Sequence, residues 1–294
     1  MRMRRRNNLA PRMAACEPVW IHEPEALRGN WRSLMTGCRE LRVEVGCGKG
    51  KFTVETAAQE PDVLLIAIEK VPDALVLAME SAMRMGLHNV FFVSLDADRI
   101  DEFFADDEID LLYINFCDPW PRKKNAKRRL TYHTFLEKYK KVLKLGGQIH
   151  FKTDNAKLFE WSLPEMESCY LELHNLTRDL HANGPVGIMT GYEEKFYALG
   201  TPINRVEAVV VTKQPRPADE KGEGEENNTP RTMERSKNDE KVFCKNDADD
   251  FEDLPAFNED KVSLTMMIAG ICAAVVAVAA ITATIVCLLR KNKD

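Results

Sequence analysis

The chain has 294 residues, of which 45% are hydrophobic and 30% are charged, and its formal net charge is −5. These proportions exclude a wholly disordered protein and leave room for one α/β domain of ~200 residues with an appended segment. The eight cysteines include no CxxC pair and the six histidines have no metal-ligand spacing, so we expect mostly reduced thiols and no metal.

Short apolar runs alternate with helical patterns, which is typical of a mostly parallel sheet with helices on both faces. The predicted strands are residues 41–45, 63–68, 90–94, 110–114 and 148–152. The predicted helices are a segment that ends near residue 59 and residues 72–85, 132–143 and 156–166. Two later apolar runs, 170–176 and 206–211, are candidates to complete the sheet.

A glycine-rich turn, Glu44-Val-Gly-Cys-Gly-Lys-Gly50, lies between the first strand and its helix. A ligand can approach the backbone closely at its three glycines, Gly46, Gly48 and Gly50, although a purely structural turn is the alternative. Glu69 ends the next strand, where a carboxylate can accept hydrogen bonds from both hydroxyls of a ribose. The GxGxG spacing, in place of GxGxxG, favours S-adenosylmethionine over a dinucleotide. Asp96 follows the third strand and could bind an adenine amine or could simply end the strand.

A proline-stiffened loop, Asn115-Phe-Cys-Asp-Pro-Trp-Pro121, follows the fourth strand. Its prolines fix Asp118 at the carboxyl edge of the sheet, and we predict a functional role for this acid. Six cations follow within eight residues: Arg122, Lys123, Lys124, Lys127, Arg128 and Arg129. Clustered Lys and Arg neutralise phosphates, so we expect this run to contact nucleic acid; a solvated charged face is the alternative.

Two later segments add polar groups to the same region. Asp154 ends the fifth strand, which places it on the same edge of the sheet as Asp118. The segment Met189-Thr-Gly-Tyr-Glu-Glu-Lys-Phe196, which we predict to be a loop, supplies the hydroxyl of Thr190 and the carboxylate of Glu193. No Ser/His/Asp nucleophile can be assembled from the remaining residues.

The C-terminal part of the chain has a different composition. Residues 1–213 contain 30 Lys or Arg and 30 Asp or Glu, whereas residues 214–261 contain 8 and 15, as in a solvated acidic linker. Residues 262–289 contain no charge and no proline; as a helix they would be ~42 Å long, against ~30 Å for a bilayer core. We therefore predict a single transmembrane helix at residues 262–289.

Taken together, the motifs resemble those of the bacterial tRNA (guanine-N7)-methyltransferases over residues 1–213. The segments that carry this resemblance are 44–50, 115–121, 127–131, 150–155 and 190–196. The resemblance implies a class I methyltransferase fold, which is a Rossmann-like, mostly parallel sheet with helices on both faces. It also implies S-adenosylmethionine as the methyl donor and a guanine in the variable loop of tRNA as the acceptor.

The resemblance further assigns expected roles to individual residues. The expected catalytic residues are Asp118 and Asp154. The expected cofactor-binding residues are Glu44, Gly46, Gly48, Gly50, Glu69, Asp96 and Asp118. The expected substrate-binding residues are Arg122, Asp154, Thr190 and Glu193. The basic run itself, and not the resemblance, gives the expected RNA contacts: Lys123, Lys124, Lys127, Arg128 and Arg129.

The expected organisation has five parts: a basic N-terminal arm (1–30), a methyltransferase domain (31–213), the acidic linker (214–261), the transmembrane helix (262–289) and a basic tail (290–294). No apolar stretch follows the basic residues Met1 to Arg6, so we expect no secretory signal. We accordingly expect a cytoplasmic catalytic domain anchored to a membrane. The spacing of Ala269, Ala273 and Ala277 would permit helix pairing and self-association.

Two other functions are compatible with parts of this pattern. The Asp-Pro-Trp-Pro loop is reminiscent of loops that bind exocyclic amines in amino-methyltransferases. A catalytically inactive, membrane-tethered RNA-binding scaffold is the second alternative, which detectable methyl transfer would exclude.

Overall fold

The computed structural model describes residues 8–217. The predicted membrane helix at 262–289 and the predicted linker beyond its first four residues, 214–217, lie outside the described residues, as do residues 1–7. Within residues 8–217, no helix is both long enough and apolar enough to cross a membrane.

The described residues form a twisted sheet in the order β1-β4-β3-β2-β5-β6-β8-β7. Its strands are β1 (Trp20–Ile21), β2 (Glu40–Val45), β3 (Val63–Ile68), β4 (Val90–Val93), β5 (Ile109–Asn115), β6 (Leu143–Thr153), β7 (Leu171–Thr177) and β8 (Asn204–Val210). All pairs from β1 to β6 are parallel, whereas β8 pairs antiparallel with both β6 and β7. The expected mostly parallel sheet is therefore confirmed.

Helices cover both faces of this sheet, as the sequence predicted. They are α1 (Leu9–Ala15), α2 (Lys51–Gln59), α3 (Pro72–Arg84), α4 (Ile100–Phe103), α5 (His133–Val142), α6 (Ala156–Ser168) and α7 (Gly191–Ala198). Helices α1 and α2 both contact α3, and α5 contacts α4 and α6, which gives two groups. The central strand β3 supplies Leu64 and Ile66 to one buried cluster and Leu65 to the other, because successive side chains of a strand point to opposite faces.

The N-terminal residues also pack on the sheet. Met13 of α1 is buried with α3, and Arg12 donates two hydrogen bonds to the carboxylate of Glu80, at 2.7 and 2.6 Å. Strand β1 pairs with β4 at the edge of the sheet. The described part of the predicted arm at 1–30 is therefore part of the packed fold.

Two of the predicted segments differ in the structure. Strand β6 begins at Leu143, five residues earlier than predicted, because its pairing with β5 shifts register and residues 144–147 form a bulge. The segment that we predicted to be a loop at 189–196 is helical from Gly191 onward, as part of α7. This prediction was wrong because Thr190 and Glu193 form a capping box, in which each side chain accepts a hydrogen bond from the backbone N–H of the other.

The topology fixes where a ligand can bind. Strands β3 and β4 lie on one side of β2 and strands β5 and β6 on the other, so the chain reverses its winding direction between β2 and β5. In open α/β sheets, ligands bind at the carboxyl ends of the strands beside such a switch point. The glycine turn follows β2 there, and the Asp118 loop follows β5.

Candidate active site at the carboxyl edge of the sheet

The three glycines of the turn after β2 have different surroundings. All three have positive φ angles, of 77°, 56° and 75° at Gly46, Gly48 and Gly50. A Cβ atom at Gly46 or Gly48 would have no other atom within 4 Å, so both positions face open space. A Cβ atom at Gly50 would lie 2.3 Å from the Cβ of Ala78 in α3. We infer that Gly46 and Gly48 leave room for a ligand, whereas Gly50 lets α2 pack on α3.

Glu69 is held rigidly beside this turn. Its carboxylate accepts hydrogen bonds from the backbone N–H of Gly48 at 3.0 Å and from that of Val71 at 2.9 Å. Each oxygen keeps a second lone pair that can accept a hydrogen bond from a hydroxyl group. The arrangement fits the ribose-binding role that we expected for Glu69.

Asp96 lies in a more exposed position. It accepts a hydrogen bond from the backbone N–H of Asp98 at 3.2 Å and lies 3.7 Å from the ammonium group of Lys70. Both interactions also occur in ordinary loop-ending aspartates. The adenine contact of Asp96 therefore stays a prediction.

Glu44 is buried beneath the glycine turn, with 2% of its surface exposed. It accepts hydrogen bonds from the hydroxyl of Thr53 and from the amide of Asn115, the latter at 3.0 Å. Burial raises the pKa of Glu44, although both hydrogen bonds and the charge of Lys152 oppose the rise. Within residues 8–217, the buried Oδ1 atom of Asn115 has no hydrogen-bond partner. An unpaired acceptor at the β2–β5 switch point fits a ligand that carries polar N–H or O–H donors.

Arg129 determines the shape of the Asp118 loop. Its guanidinium donates hydrogen bonds to the carbonyl oxygens of Pro119 and Trp120, both at 3.0 Å, and lies 4.1 Å from the ring centroid of Trp161. Phe116 and Trp120 both have positive φ angles, which are rare for large residues. This strained backbone conformation is held in part by the guanidinium.

The burial of Arg129 argues against its expected role as an RNA contact, which stays a prediction. Only 8% of this residue is exposed, and its guanidinium is already bonded to the loop, so it does not fit the predicted RNA contact. Arg122, Lys123, Lys124, Lys127 and Arg128 are all exposed, on or beside a 3₁₀ helix at Lys123–Arg128. Arg128 stacks on Trp120, with 3.6 Å between its guanidinium carbon and the ring centroid. The exposed part of the basic run therefore lies beside the Asp118 loop.

Asp118 is exposed, and within residues 8–217 its carboxylate makes no hydrogen bond or ion pair. Asp154 is partly buried, and desolvation raises its pKa. Desolvation, followed by the negative charge of Asp118 and then that of Asp154, raises the pKa of the Cys117 thiol to about 12. The two acids follow the carboxyl ends of β5 and β6, which pair in parallel, so they share the edge of the sheet that the sequence predicted.

Thr190 and Glu193, which we expected to bind substrate, are bonded to each other and to neighbouring residues. Glu193 is completely buried, and its carboxylate accepts hydrogen bonds from the ammonium of Lys152 at 2.7 Å and from the backbone N–H of Thr190 at 3.1 Å. The ring of His181 lies 3.0 Å from the other carboxylate oxygen. Because Glu193 is completely buried and both of its oxygens already have partners, the geometry favours a structural role for it, and its expected substrate contact stays a prediction.

Sequence reasoning missed four residues that hold the predicted ones in place: Thr53, Asn115, Lys152 and His181. Asn115 and Lys152 stand within the motifs that the sequence analysis quoted, and each is a buried polar residue that directly follows an apolar one near the end of its strand. Such residues need partners when they are buried, which is the signal that could have identified them. Within residues 8–217, no three Asp, Glu, His or Cys side chains are grouped as metal ligands.

Comparison with known proteins identifies the family. Residues 39–206 match a family model described as "Putative methyltransferase". The chain is 44% identical over 210 residues to a tRNA (guanine-N(7)-)-methyltransferase of Exiguobacterium sp. and to one of Geobacillus kaustophilus, covering 71% of this chain and 98% and 97% of those proteins. Among solved structures, the 16S rRNA methyltransferase KamB is similar with a TM-score of 0.49 and 14% identity, covering 64% of this chain and 94% of that one. The sequence identity shows that this chain belongs to the tRNA (guanine-N7)-methyltransferase family.

Proposed function

We propose that this protein transfers a methyl group from S-adenosylmethionine to N7 of a guanine in tRNA. The main observation is the 44% identity to tRNA (guanine-N(7)-)-methyltransferases that the chain covers almost completely. The carboxyl edge of the sheet supports the proposal, because it combines an open glycine turn, two acids and an exposed basic helix. We place the target guanine in the variable loop on the basis of the sequence resemblance described above.

The residues present fit the methyl donor. Gly46 and Gly48 leave open space beside the backbone, and the carboxylate of Glu69 has free lone pairs for ribose hydroxyls. Oδ1 of Asn115 is a buried acceptor without a partner in the described part of the chain. When bound, S-adenosylmethionine supplies a methyl group on a positively charged sulfur.

Asp118 and Asp154 are proposed to hold the guanine. N7 carries an in-plane lone pair, so no proton has to leave before it attacks the methyl group, and a strong general base is unnecessary. The carboxylates can accept hydrogen bonds from N1–H and the exocyclic amine, which become better donors as the ring gains positive charge. Because desolvation raises the pKa of Asp154, its carboxylate is also a more basic acceptor.

Phosphate contacts are proposed to come from the exposed cations that follow the Asp118 loop. Five positive charges are available there once Arg129 is excluded: Arg122, Lys123, Lys124, Lys127 and Arg128. Such contacts release counterions from the nucleic acid, so tRNA affinity should fall steeply as salt is added. The target base would leave its stack to reach the acids, at a cost of a few kcal/mol.

The proposal is tested by methyl transfer from labelled S-adenosylmethionine to bulk tRNA, with wild-type protein and an Asp118→Ala variant. We expect transfer by the wild type and a large loss in the variant, because Asp118 is exposed at the site and supports no other group in residues 8–217. A Glu167→Ala variant near the C-terminal end of α6 is the surface control, because Glu167 is an exposed acid outside the site. No transfer by folded wild-type protein would refute the proposed function, and normal turnover in Asp118→Ala would remove Asp118 from the mechanism.

We also propose that residues 262–289 anchor a cytoplasmic enzyme to a membrane. This proposal rests on sequence composition alone, namely 28 residues without charge or proline. The acidic segment at 214–261 would then separate the enzyme from an anionic lipid surface by charge repulsion. Pairing of the anchors through Ala269, Ala273 and Ala277 belongs to the same proposal.

A further inference from the structure

We propose that Lys152 is a positioning residue, which aligns the cofactor side and the acceptor side of the site for methyl transfer. The inference rests on the proposed function, because it concerns the geometry of that reaction. Lys152 lies near the end of β6, two residues before Asp154, and only 8% of its surface is exposed. None of the predicted roles included this residue.

The ammonium group of Lys152 connects several parts of the site. It donates hydrogen bonds to Glu193 at 2.7 Å and to the carbonyl oxygen of Ile188 at 3.3 Å. It also lies 5.2 Å from the ring centroid of Phe52 in α2, and its charge opposes the rise in the pKa of Glu44. One cation therefore contacts the segment before α7, the first turn of α7 and the helix that follows the glycine turn.

Helix α7 itself spans the two sides of the site. Glu194 forms an ion pair with Lys51, the first residue of α2, at 2.6 Å. Phe196 stacks on Phe116 of the Asp118 loop, with 6.2 Å between the ring centroids. Lys152 fixes the first turn of α7 between these two contacts, so it sets the position of α7 relative to both the cofactor turn and the acceptor loop.

A purely structural explanation of Lys152 is weaker. A buried ion pair adds little net stability, because the cost of desolvating both charges offsets much of their attraction. Apolar side chains at positions 152 and 193 could fill the same volume without that cost. A positioning role explains why a charged residue is present at this site. Lys152 holds Glu193, and therefore the backbone of α7, in one defined position.

The first test is a Lys152→Met variant, assayed for kcat, for the KM of tRNA and for the dissociation constant of S-adenosylmethionine. Misplacement of reacting groups by ~1 Å can cost ~100-fold in rate, so we expect kcat to fall by about that factor. We expect the cofactor dissociation constant and the KM to stay within about threefold of the wild type. Lys140→Met is the matched control: Lys140 is also a buried cation, paired with Glu137 on α5, outside the site.

Lys152→Met leaves the buried Glu193 with one partner fewer, which lowers stability, so the double variant Lys152→Met/Glu193→Gln is the second test. Removing both charges should restore the melting temperature without restoring kcat.

Two results would show that Lys152 is only structural and would overturn the inference. One is recovery of kcat together with stability in the double variant, and the other is a kcat within threefold of wild type in folded Lys152→Met. A parallel loss of cofactor affinity would also overturn it, by making Lys152 a cofactor ligand. Inactivity of the wild type would refute the proposed function instead.

Discussion

Replacing Arg129 tests most directly whether a residue of the basic run supports the fold or binds RNA. An Arg129→Met variant keeps most of the side-chain volume but removes the hydrogen bonds to Pro119 and Trp120 and the stacking on Trp161. We expect the Asp118 loop to relax, because Trp120, whose φ angle is positive, is no longer held by the guanidinium. The variant should therefore lose both stability and methyl transfer.

The magnitude follows from these three contacts. Hydrogen bonds from a charged donor contribute ~1.5–3 kcal/mol each, and a cation–π contact ~0.5–2 kcal/mol. Since removing a largely buried charge also removes its desolvation cost, we expect a net loss of about 2–4 kcal/mol. In a domain of this size, that corresponds to a fall in melting temperature of roughly 5–15 °C.

The matched control is Arg128→Met, one position earlier. Arg128 is exposed and stacks only on Trp120, so its replacement should cost less than about 1 kcal/mol. If it contacts a phosphate, the log–log slope of tRNA affinity against salt should become shallower by about one unit or less.

The assays are thermal unfolding by circular dichroism and filter binding of tRNA over a range of salt concentrations. Arg129→Met should lower the melting temperature and leave the salt slope unchanged. Arg128→Met should leave the melting temperature nearly unchanged and make the salt slope shallower. A normal melting temperature with a shallower slope in Arg129→Met would refute the structural role and restore the RNA contact predicted from the sequence.

Three further variants test other parts of the account. Glu69→Ala should weaken S-adenosylmethionine binding in calorimetry, and an unchanged affinity would make the ribose assignment wrong. Gly50→Ala should strongly destabilise the fold, because the added Cβ would lie 2.3 Å from that of Ala78; a normal melting temperature would contradict this packing role. Deletion of residues 262–289 should move the protein from the membrane fraction to the soluble fraction, and full-length protein that is soluble after an alkaline wash would refute the anchor.

Much of the sheet could be predicted from the sequence, because its central strands are apolar on both faces. The prediction of residues 63–68 matches β3 at both ends, since a strand buried on two sides is an unbroken apolar run. Strand β1 has two residues and exists through its pairing with β4, about 70 positions later in the chain. No local pattern predicts such a contact.

The positions of the candidate site residues were also predictable, because acids that directly follow parallel strands share one edge of the sheet. The residues that these side chains contact could not be predicted. Arg129 could not be separated from its cationic neighbours without its contact to Trp161, and the burial of Glu193 depends on Lys152, 41 positions earlier. Helix α7 carries a local capping-box signal, but its contacts to Lys51 and Phe116 come from distant parts of the chain.

Identification of the methylated atom tests the central claim most directly. Full-length protein would be incubated with an unmodified tRNA transcript and labelled S-adenosylmethionine, and the RNA would then be digested to nucleosides and fragments. We predict label in 7-methylguanosine alone, from a fragment that contains the variable loop. Label on an exocyclic amine, in another nucleoside, or in no nucleoside at all would contradict the account.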